Sequence, residues 1–187
     1  SDDAYVRESS ANDNFGASTT LRVDGSPVQD TLVRFLVTGV GNGQVGSAKL
    51  RLYNTNSAGL GGNFFSNGSA WDEANVTWNN APAAGTSLGS LGSVQPGNWY
   101  EVDVSSVVTQ DGWVSFRISS SQANGAYYSS KEGPNAPQLM VTATGNTSGN
   151  TSPIADSQTV STDQGVSLDL TLTGFDSNGD CPLDRKT

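Results

Sequence analysis

The sequence lacks histidine altogether and holds a single cysteine, Cys181. Histidine is the usual general base of enzymes and a common zinc ligand, so its absence argues against both roles. One cysteine cannot form a disulfide within the chain. The chain also has no apolar run long enough to span a bilayer as a helix, and we expect no membrane insertion. These absences disfavour a histidine-dependent enzyme, a zinc protein and a disulfide-stabilised scaffold.

Positive charge is also scarce, with nine Lys and Arg residues against 18 Asp and Glu and a formal net charge of -9. The residues before Gly145 include seven basic and twelve acidic side chains, so the remainder is more acidic for its length. Proteins that bind duplex nucleic acid usually have a clear basic excess, and nucleic acid is therefore not an expected partner. A polyanion with a lower charge density is compatible with this net charge, because binding depends on the local electrostatic field at the binding surface.

What the chain does have is glycine, serine, threonine and asparagine, while charged residues make up only 14%. Short apolar and polar alternations recur between turn residues, which predicts strands near 3–8, 20–24, 31–38, 47–54, 97–104, 112–120, 126–131 and 138–144. Only residues 104–108 give a weak helical signal. Many short strands with polar turns predict an all-β, antiparallel β-sandwich, most simply a jelly roll.

The side chains that alternate onto one face of these strands form the predicted core. Its members are Val33, Phe35, Val37, Leu50, Leu52, Tyr100, Val102, Val104, Val114, Phe116, Ile118, Leu139 and Val141. Tyr128 shares the core phase of its own strand. The irregular stretch 54–97 contains Trp71 and Trp78, which we expect to anchor it to the core edge.

A polar stretch divides the chain near residue 145. We predict a jelly-roll module over residues 1–145, a flexible linker over 146–153 and an incomplete Ig-like β fragment over 154–187. The alternation at 166–172 reads as one strand of a hairpin, and so short a fragment is marginal in isolation.

The basic residues of the first domain occupy the polar phase of the predicted strands. Arg22 lies between Leu21 and Val23, and the other strand cations follow the same pattern. Because successive side chains point to opposite faces, these cations should point away from the core. If their strands share one sheet, they form a basic face suited to an extended polyanion, and the planar guanidinium suits carboxylate or sulfate.

Eight side chains are therefore candidates for binding such a polyanion. They are Arg7, Arg22, Arg34, Lys49, Arg51, Arg117, Lys131 and Tyr127, the last as a ring that packs on a sugar. Trp99 and Trp113 lie in the same outward phase and could be sugar platforms or caps on the sandwich rim. The alternative for the cations is ordinary cross-strand pairing with Asp24, Glu101 or Asp103.

No catalytic constellation and no definite cofactor emerge from the sequence. A structural calcium ion is compatible with two acidic stretches, residues 176–180 (DSNGD) and residues 12–14 (NDN) together with Asp2 and Asp3.

An ordered set of short segments resembles the bacterial DNRLRE-type domain, which includes jelly-roll carbohydrate-binding modules attached to alginate lyases. The segments are 4–8 (AYVRE), 14–16 (NFG), 21–23 (LRV), 34–35 (RF), 48–53 (AKLRLY), 71–73 (WDE), 76–82 (VTWNNAP), 128–133 (YSSKEG) and 137–139 (PQL). The resemblance implies a non-catalytic module that binds alginate or a similar acidic polysaccharide through Arg7, Arg22, Arg34, Lys49, Arg51 and Lys131. The chain from Pro153 resembles the start of a bacterial Ig-like or cadherin-like repeat.

We therefore expect a secreted, bacterial, monomeric module tethered to further domains of a larger protein. Its expected ligand is an alginate-type polyuronate, or else a sulfated algal glycan, to which it would direct an appended enzyme or surface protein. The alternative is a structural or adhesive spacer in a large secreted surface protein. A jelly-roll lyase is a third interpretation, for which the sequence offers no paired acid and base.

Overall fold

The computed structural model describes residues 1–40, 44–144, 154–155 and 174–175. The chain divides into two compact units, Ser1–Thr144 and Gly145–Thr187. In the second unit the described residues form two short antiparallel strands. The predicted linker, the acidic stretch 176–180 and most of the predicted Ig-like fragment lie outside the described residues. Across the part of the chain that the structure describes, no helix is long and apolar enough to cross a membrane.

The first unit is built almost entirely from β-strands, with one 3-10 helix at Glu8–Ser10. Its strands are β1 (Asp2–Arg7), β2 (Thr20–Gly25), β3 (Val28–Val37), β4 (Gln44–Asn54), β5 (Gly62–Asn67), β6 (Ala84–Leu91), β7 (Asn98–Asp103), β8 (Gly112–Ser119), β9 (Ala126–Ser129) and β10 (Gln138–Thr144). The second unit contributes β11 (Ile154–Ala155) and β12 (Gly174–Phe175).

Each strand predicted for the first unit is present in the structure. β5 and β6 were not predicted. β6 is rich in Gly and Ser and largely exposed, so its sequence shows no alternation of apolar and polar residues. The weak helical signal at 104–108 was wrong. These residues form only a single turn, in which the Val104 carbonyl accepts hydrogen bonds from the backbone N–H groups of Val107 and Val108. β9 also ends two residues before Lys131, which lies in the following turn.

Strands β1 to β10 form one antiparallel sheet that curls over at β2 into two layers. Residues Thr20–Val23 of β2 pair with β9, whereas Asp24 and Gly25 pair with β3. The first layer runs in the order β1-β3-β8-β5-β6. In the second layer, β4 pairs with β7 on one side and with β10 on the other, and β9 connects β4 to β2. The predicted antiparallel β-sandwich of jelly-roll type is therefore confirmed.

The main core lies between the two layers, and every predicted core residue belongs to it or packs against it. Full burial of one such side chain contributes roughly 1.5–3 kcal/mol. Tyr128 is the largest fully buried side chain, as its phase predicted. Its hydroxyl donates to the Gly61 carbonyl at 2.6 Å, and burial raises the pKa of this phenol.

A smaller core forms on the opposite, outer side of the first layer. There, residues 68–83 between β5 and β6 fold back over the sheet, and we call this segment the covering loop. Trp71 and Val76 of this loop are buried with Ala4, Val6 and Leu32. The Trp71 indole nitrogen donates to Ser115 Oγ at 2.9 Å. The predicted anchoring role of Trp71 is confirmed, and the loop closes much of this outer surface.

Candidate functional site

The candidate cations do not share one basic face, so that expectation was wrong. The curl at β2 sends their strands into different layers: β1, β3 and β8 carry Arg7, Arg34 and Arg117, whereas β2 and β4 carry Arg22, Lys49 and Arg51. Alternation predicts the side of a strand on which a residue lies. It does not predict which strands become neighbours.

Arg34 holds the covering loop to the sheet beneath it. Its Nε lies 2.6 Å from Asp2 Oδ2, and its Nη1 donates to the Ser69 carbonyl at 2.8 Å. The guanidinium lies 5.1 Å from the ring centroid of Trp71 and 4.6 Å from that of Trp113. These contacts give Arg34 a structural role, and only 18% of its side chain is exposed.

Arg117 makes a second attachment of the same kind. Its Nη2 lies 2.7 Å from Asp30 Oδ2, its Nη1 donates to the Pro82 carbonyl at 2.7 Å, and its guanidinium lies 5.4 Å from the Trp78 ring. Burial raises the pKa of the Asp30 carboxyl, and the charge and hydrogen bonds of Arg117 oppose that rise. Only 13% of the Arg117 side chain is exposed, which leaves little of it for a ligand.

Lys131 lies among four carboxylates, those of Asp2, Asp3, Glu73 and Glu132, which we call the acidic cluster. Its ammonium pairs with Glu73 and lies 3.8 Å from both Asp2 and Glu132. The hydrogen bond to Glu73 raises the pKa of Lys131. Burial raises the pKa of Asp3 to about 7; the backbone N–H of Lys131 opposes this rise, and the nearby Glu132 and Glu73 add to it.

The predicted gathering of oxygens around residues 12–14 takes a different form. The Asn14 amide donates to the carbonyls of Glu73 and Val76, each at 2.7 Å. Asn12 Oδ1 accepts from the side chain of Asn79 at 2.8 Å. These asparagines therefore fix the covering loop, while Asp2 and Asp3 converge with Glu73 and Glu132.

The outer side of the second layer carries a second group of outward side chains, each of them half-buried or exposed. We call it the open face, and its members are Arg22, Lys49, Arg51, Tyr53, Trp99 and Tyr127. Arg51 lies 4.6 Å from the Trp99 ring centroid, and Trp99 meets Tyr53 edge-on at 5.3 Å. Glu101 pairs with Lys49 at 3.0 Å and with Arg51 at 3.5 Å. For these two cations the structure therefore shows the cross-strand ion pairs of the alternative interpretation.

Arg22 is the cation of the open face that has no acidic partner among the residues that the structure describes. Its guanidinium lies 5.3 Å from the Tyr5 ring and 5.5 Å from the Tyr127 ring. Its Nε is buried without a hydrogen-bond partner. Among the residues that the structure describes, no carboxylate lies within 4.0 Å of Arg22 or of Arg7.

Arg7 lies at the corner next to this arrangement. Its Nη2 donates to Gln29 Oε1 at 3.2 Å, and its guanidinium lies 5.6 Å from the Phe15 ring. Phe15 in turn stacks on Tyr5 with ring centroids 4.4 Å apart. A continuous series of contacts therefore runs from Arg7 through Phe15, Tyr5 and Arg22 to Tyr127 across the corner of the sandwich.

Several of these aromatic residues were missed as site residues. Tyr53 lies two residues after Arg51 and so shares its side of β4, a signal that was present in the sequence. Trp99 was considered as a sugar platform or a cap on the sandwich rim, but it was not included among the candidate site residues. Tyr5 and Phe15 reach Arg22 and Arg7 through contacts between segments distant in sequence, which alternation cannot reveal.

The open face presents groups that are suited to ligand recognition. Aromatic rings offer flat apolar surfaces for the C–H faces of sugars, and a guanidinium without an acidic partner can bind a carboxylate or a sulfate. A β-sandwich with such a surface defines a binding module. The chain belongs to carbohydrate-binding module family 96, whose family model matches residues 1–143. No curated protein matches the chain.

Proposed function

We propose that this carbohydrate-binding module binds an acidic polysaccharide through the open face, with an alginate-type polyuronate as the first candidate and a sulfated glycan as the second. The observation that carries the proposal is Arg22, a cation that lies between two tyrosine rings and has no carboxylate partner within the described part of the chain. The resemblance to the DNRLRE-type domain supports the choice of alginate.

The arrangement of strands favours an extended ligand. Arg22 is on β2 and Arg51 is on β4, and β9 lies between these strands in the pairing order. A ligand that touches both arginines must therefore cross more than one strand. An oligosaccharide or polymer meets that requirement better than a single sugar.

Affinity should come from several weak contacts acting together. An exposed ion pair contributes roughly 0.2–1 kcal/mol and is screened by salt. Glu101 already neutralises part of the charge of Lys49 and Arg51, so a ligand carboxylate competes with it there. At Arg22 no described carboxylate competes, and we assign the largest single contribution to this residue.

Affinity electrophoresis in gels with and without alginate tests the proposal. The Arg22→Ala and Arg51→Ala substitutions should each reduce the retardation of the protein by alginate, and their combination should abolish it. Arg185→Ala is the charge-matched control, because residue 185 lies outside the family match. A gel containing a neutral glucan should retard none of the proteins.

Retardation of the folded double variant to the wild-type extent would refute the open face as the site. Loss of retardation in Arg185→Ala would show a general charge effect instead. Circular dichroism of each variant establishes that it is folded.

We further infer that the module acts as a secreted, monomeric part of a larger bacterial protein and directs an attached enzyme or surface domain to its polymer. Modules of this kind are typically extracellular, and the polar, turn-rich composition agrees with that setting. Light scattering coupled to size-exclusion chromatography should give the mass of one chain, and a dimer mass would contradict this part of the proposal.

A further inference from the structure

The acidic cluster has the dimensions of a metal site. One oxygen from each of Asp3, Glu73 and Glu132 lies within 4.8 Å of the others. Two oxygens bound to one calcium ion at about 2.4 Å can be at most about 4.8 Å apart, so the separations in the cluster meet this requirement for a shared ion.

The charges of the cluster do not balance. Asp2, Asp3, Glu73 and Glu132 bring four carboxyl groups, whereas Arg34 and Lys131 are their cationic partners. With all four carboxyl groups ionised, two negative charges remain in a partly buried place, where like charges repel strongly. A divalent cation would neutralise this excess.

One carboxylate oxygen in the cluster also has no hydrogen-bond partner among the described residues. Asp3 is only 2% exposed, its Oδ2 accepts from the Lys131 backbone N–H at 2.8 Å, and its Oδ1 is buried without a hydrogen bond. A buried, unsatisfied acceptor is costly, and coordination to an ion removes that cost. This unsatisfied oxygen is a second observation, separate from the clustering of the carboxylates, and it also points to a cation as the ligand.

We propose that Asp3, Glu73 and Glu132 bind a calcium ion. Calcium accepts carboxylate and carbonyl oxygens in a flexible geometry, and waters can complete its coordination. All three groups are oxygen donors, and the chain has no histidine, so the set suits a hard cation better than zinc. Lys131 is 29% exposed, and its flexible side chain can turn its ammonium toward solvent when the ion enters.

The proposed ion would join three distant parts of the chain. Asp3 belongs to β1, Glu73 to the covering loop, and Glu132 to the turn after β9. The same loop is already tied to residue 14 through the Glu73 carbonyl. The function of the ion is therefore structural: it fixes the covering loop against the edge of the sandwich, away from the sugar contacts proposed above.

The test begins with the full chain treated with EDTA and dialysed. Calcium chloride titrated by calorimetry should show a site that is lost in both Asp3→Asn and Glu132→Gln, with at least about a tenfold loss of affinity. The same salt should raise the thermal midpoint of the wild type and not of these variants. Glu8→Gln is the control, since Glu8 is an exposed acid outside the cluster, and it should bind calcium as the wild type does.

Lys131→Met gives a second, opposite readout. Removal of the competing ammonium should tighten calcium binding by several-fold, provided that the ion and Lys131 share the same carboxylates. Glu132 is exposed, so Glu132→Gln should fold even where Asp3→Asn does not, and circular dichroism checks both.

Three results would overturn the proposal. The first is the absence of any calcium response of the wild type up to about 10 mM. The second is an unchanged response in folded Glu132→Gln, which would place calcium elsewhere, for instance at residues 176–180. The third is an unchanged or weaker response in Lys131→Met.

Discussion

The Arg22 guanidinium lies 5.5 Å from the ring centroid of Tyr127, the residue directly opposite it on β9. Cross-strand neighbours on one side of a sheet are the units that interact most directly. Here the pair combines a charge with an aromatic face, so one position on the sheet can recognise both the acidic group and the ring of a uronate.

Replacement of Arg22 by lysine should weaken alginate binding although the charge is unchanged. Lysine lacks the planar fork that binds carboxylate in a bidentate way and stacks on tyrosine. Cation–π contacts at exposed sites contribute about 0.5–1 kcal/mol, so we expect roughly a 3–10-fold loss when bidentate binding is lost as well. Isothermal titration with alginate oligosaccharides measures it, and wild-type affinity in Arg22→Lys would show that only the charge matters.

Replacement of Arg34 by methionine should affect stability instead of binding. The change removes the ion pair with Asp2 and the hydrogen bond to the Ser69 carbonyl, and it leaves a partly buried carboxylate without its arginine. We expect a loss of about 2–3 kcal/mol in the free energy of unfolding. Urea denaturation measures this loss.

Lys49→Met serves as the comparison for Arg34→Met. The ion pair between Lys49 and Glu101 is exposed. Lys49→Met should therefore lower the free energy of unfolding by less than about 1 kcal/mol. If folded Arg34→Met lost alginate retardation as completely as the Arg22 and Arg51 double variant, the assignment of Arg34 to structure would be wrong.

Replacement of Arg117 by methionine should make stability depend on pH through Asp30. Arg117 opposes the burial that raises the pKa of this carboxyl, so its removal raises that pKa further. The folded variant then keeps a proton that the unfolded chain has lost, and its stability falls as the pH rises above about 4. Because the pKa of Asp30 is already raised in the wild type, the stability difference between wild type and variant should widen with rising pH once the pH exceeds that wild-type pKa, as measured in urea titrations.

The Asp30→Asn background provides the control for this pH effect. Because asparagine does not titrate, the difference caused by Arg117→Met should then be nearly constant with pH. A constant difference in the presence of Asp30 would contradict the proposed coupling.

Alanine at Gly16 should destabilise the protein. A Cβ at this position would collide with the carbonyl oxygen and the side chain of Glu73. Because the collision involves backbone, the covering loop has to shift, and overpacking of this kind costs about 1–3 kcal/mol. Gly92→Ala is the matched control, since a Cβ there meets nothing within 4 Å. Equal thermal midpoints for the two variants would show that the covering loop adapts freely.

Much of the fold could be predicted from the sequence, and the site could be predicted less well. Alternation located the core strands because burial repeats every second residue, and Phe116 and Leu50 lie in the core for that reason. β6 escaped prediction because its Gly and Ser residues carry no such signal. For Arg34 and Arg117 the outward side was predicted correctly, but a loop distant in sequence covers that side.

The covering loop has a consequence for how many polymer chains one module can hold. A sandwich with both outer surfaces accessible could cross-link two strands of a gel, whereas the covering loop closes much of one of them. If the open face binds polymer, each copy of the module has a valency of one through the described part of the chain. Avidity for a long polysaccharide would then depend on how many copies a parent protein carries and on the lengths of the linkers between them.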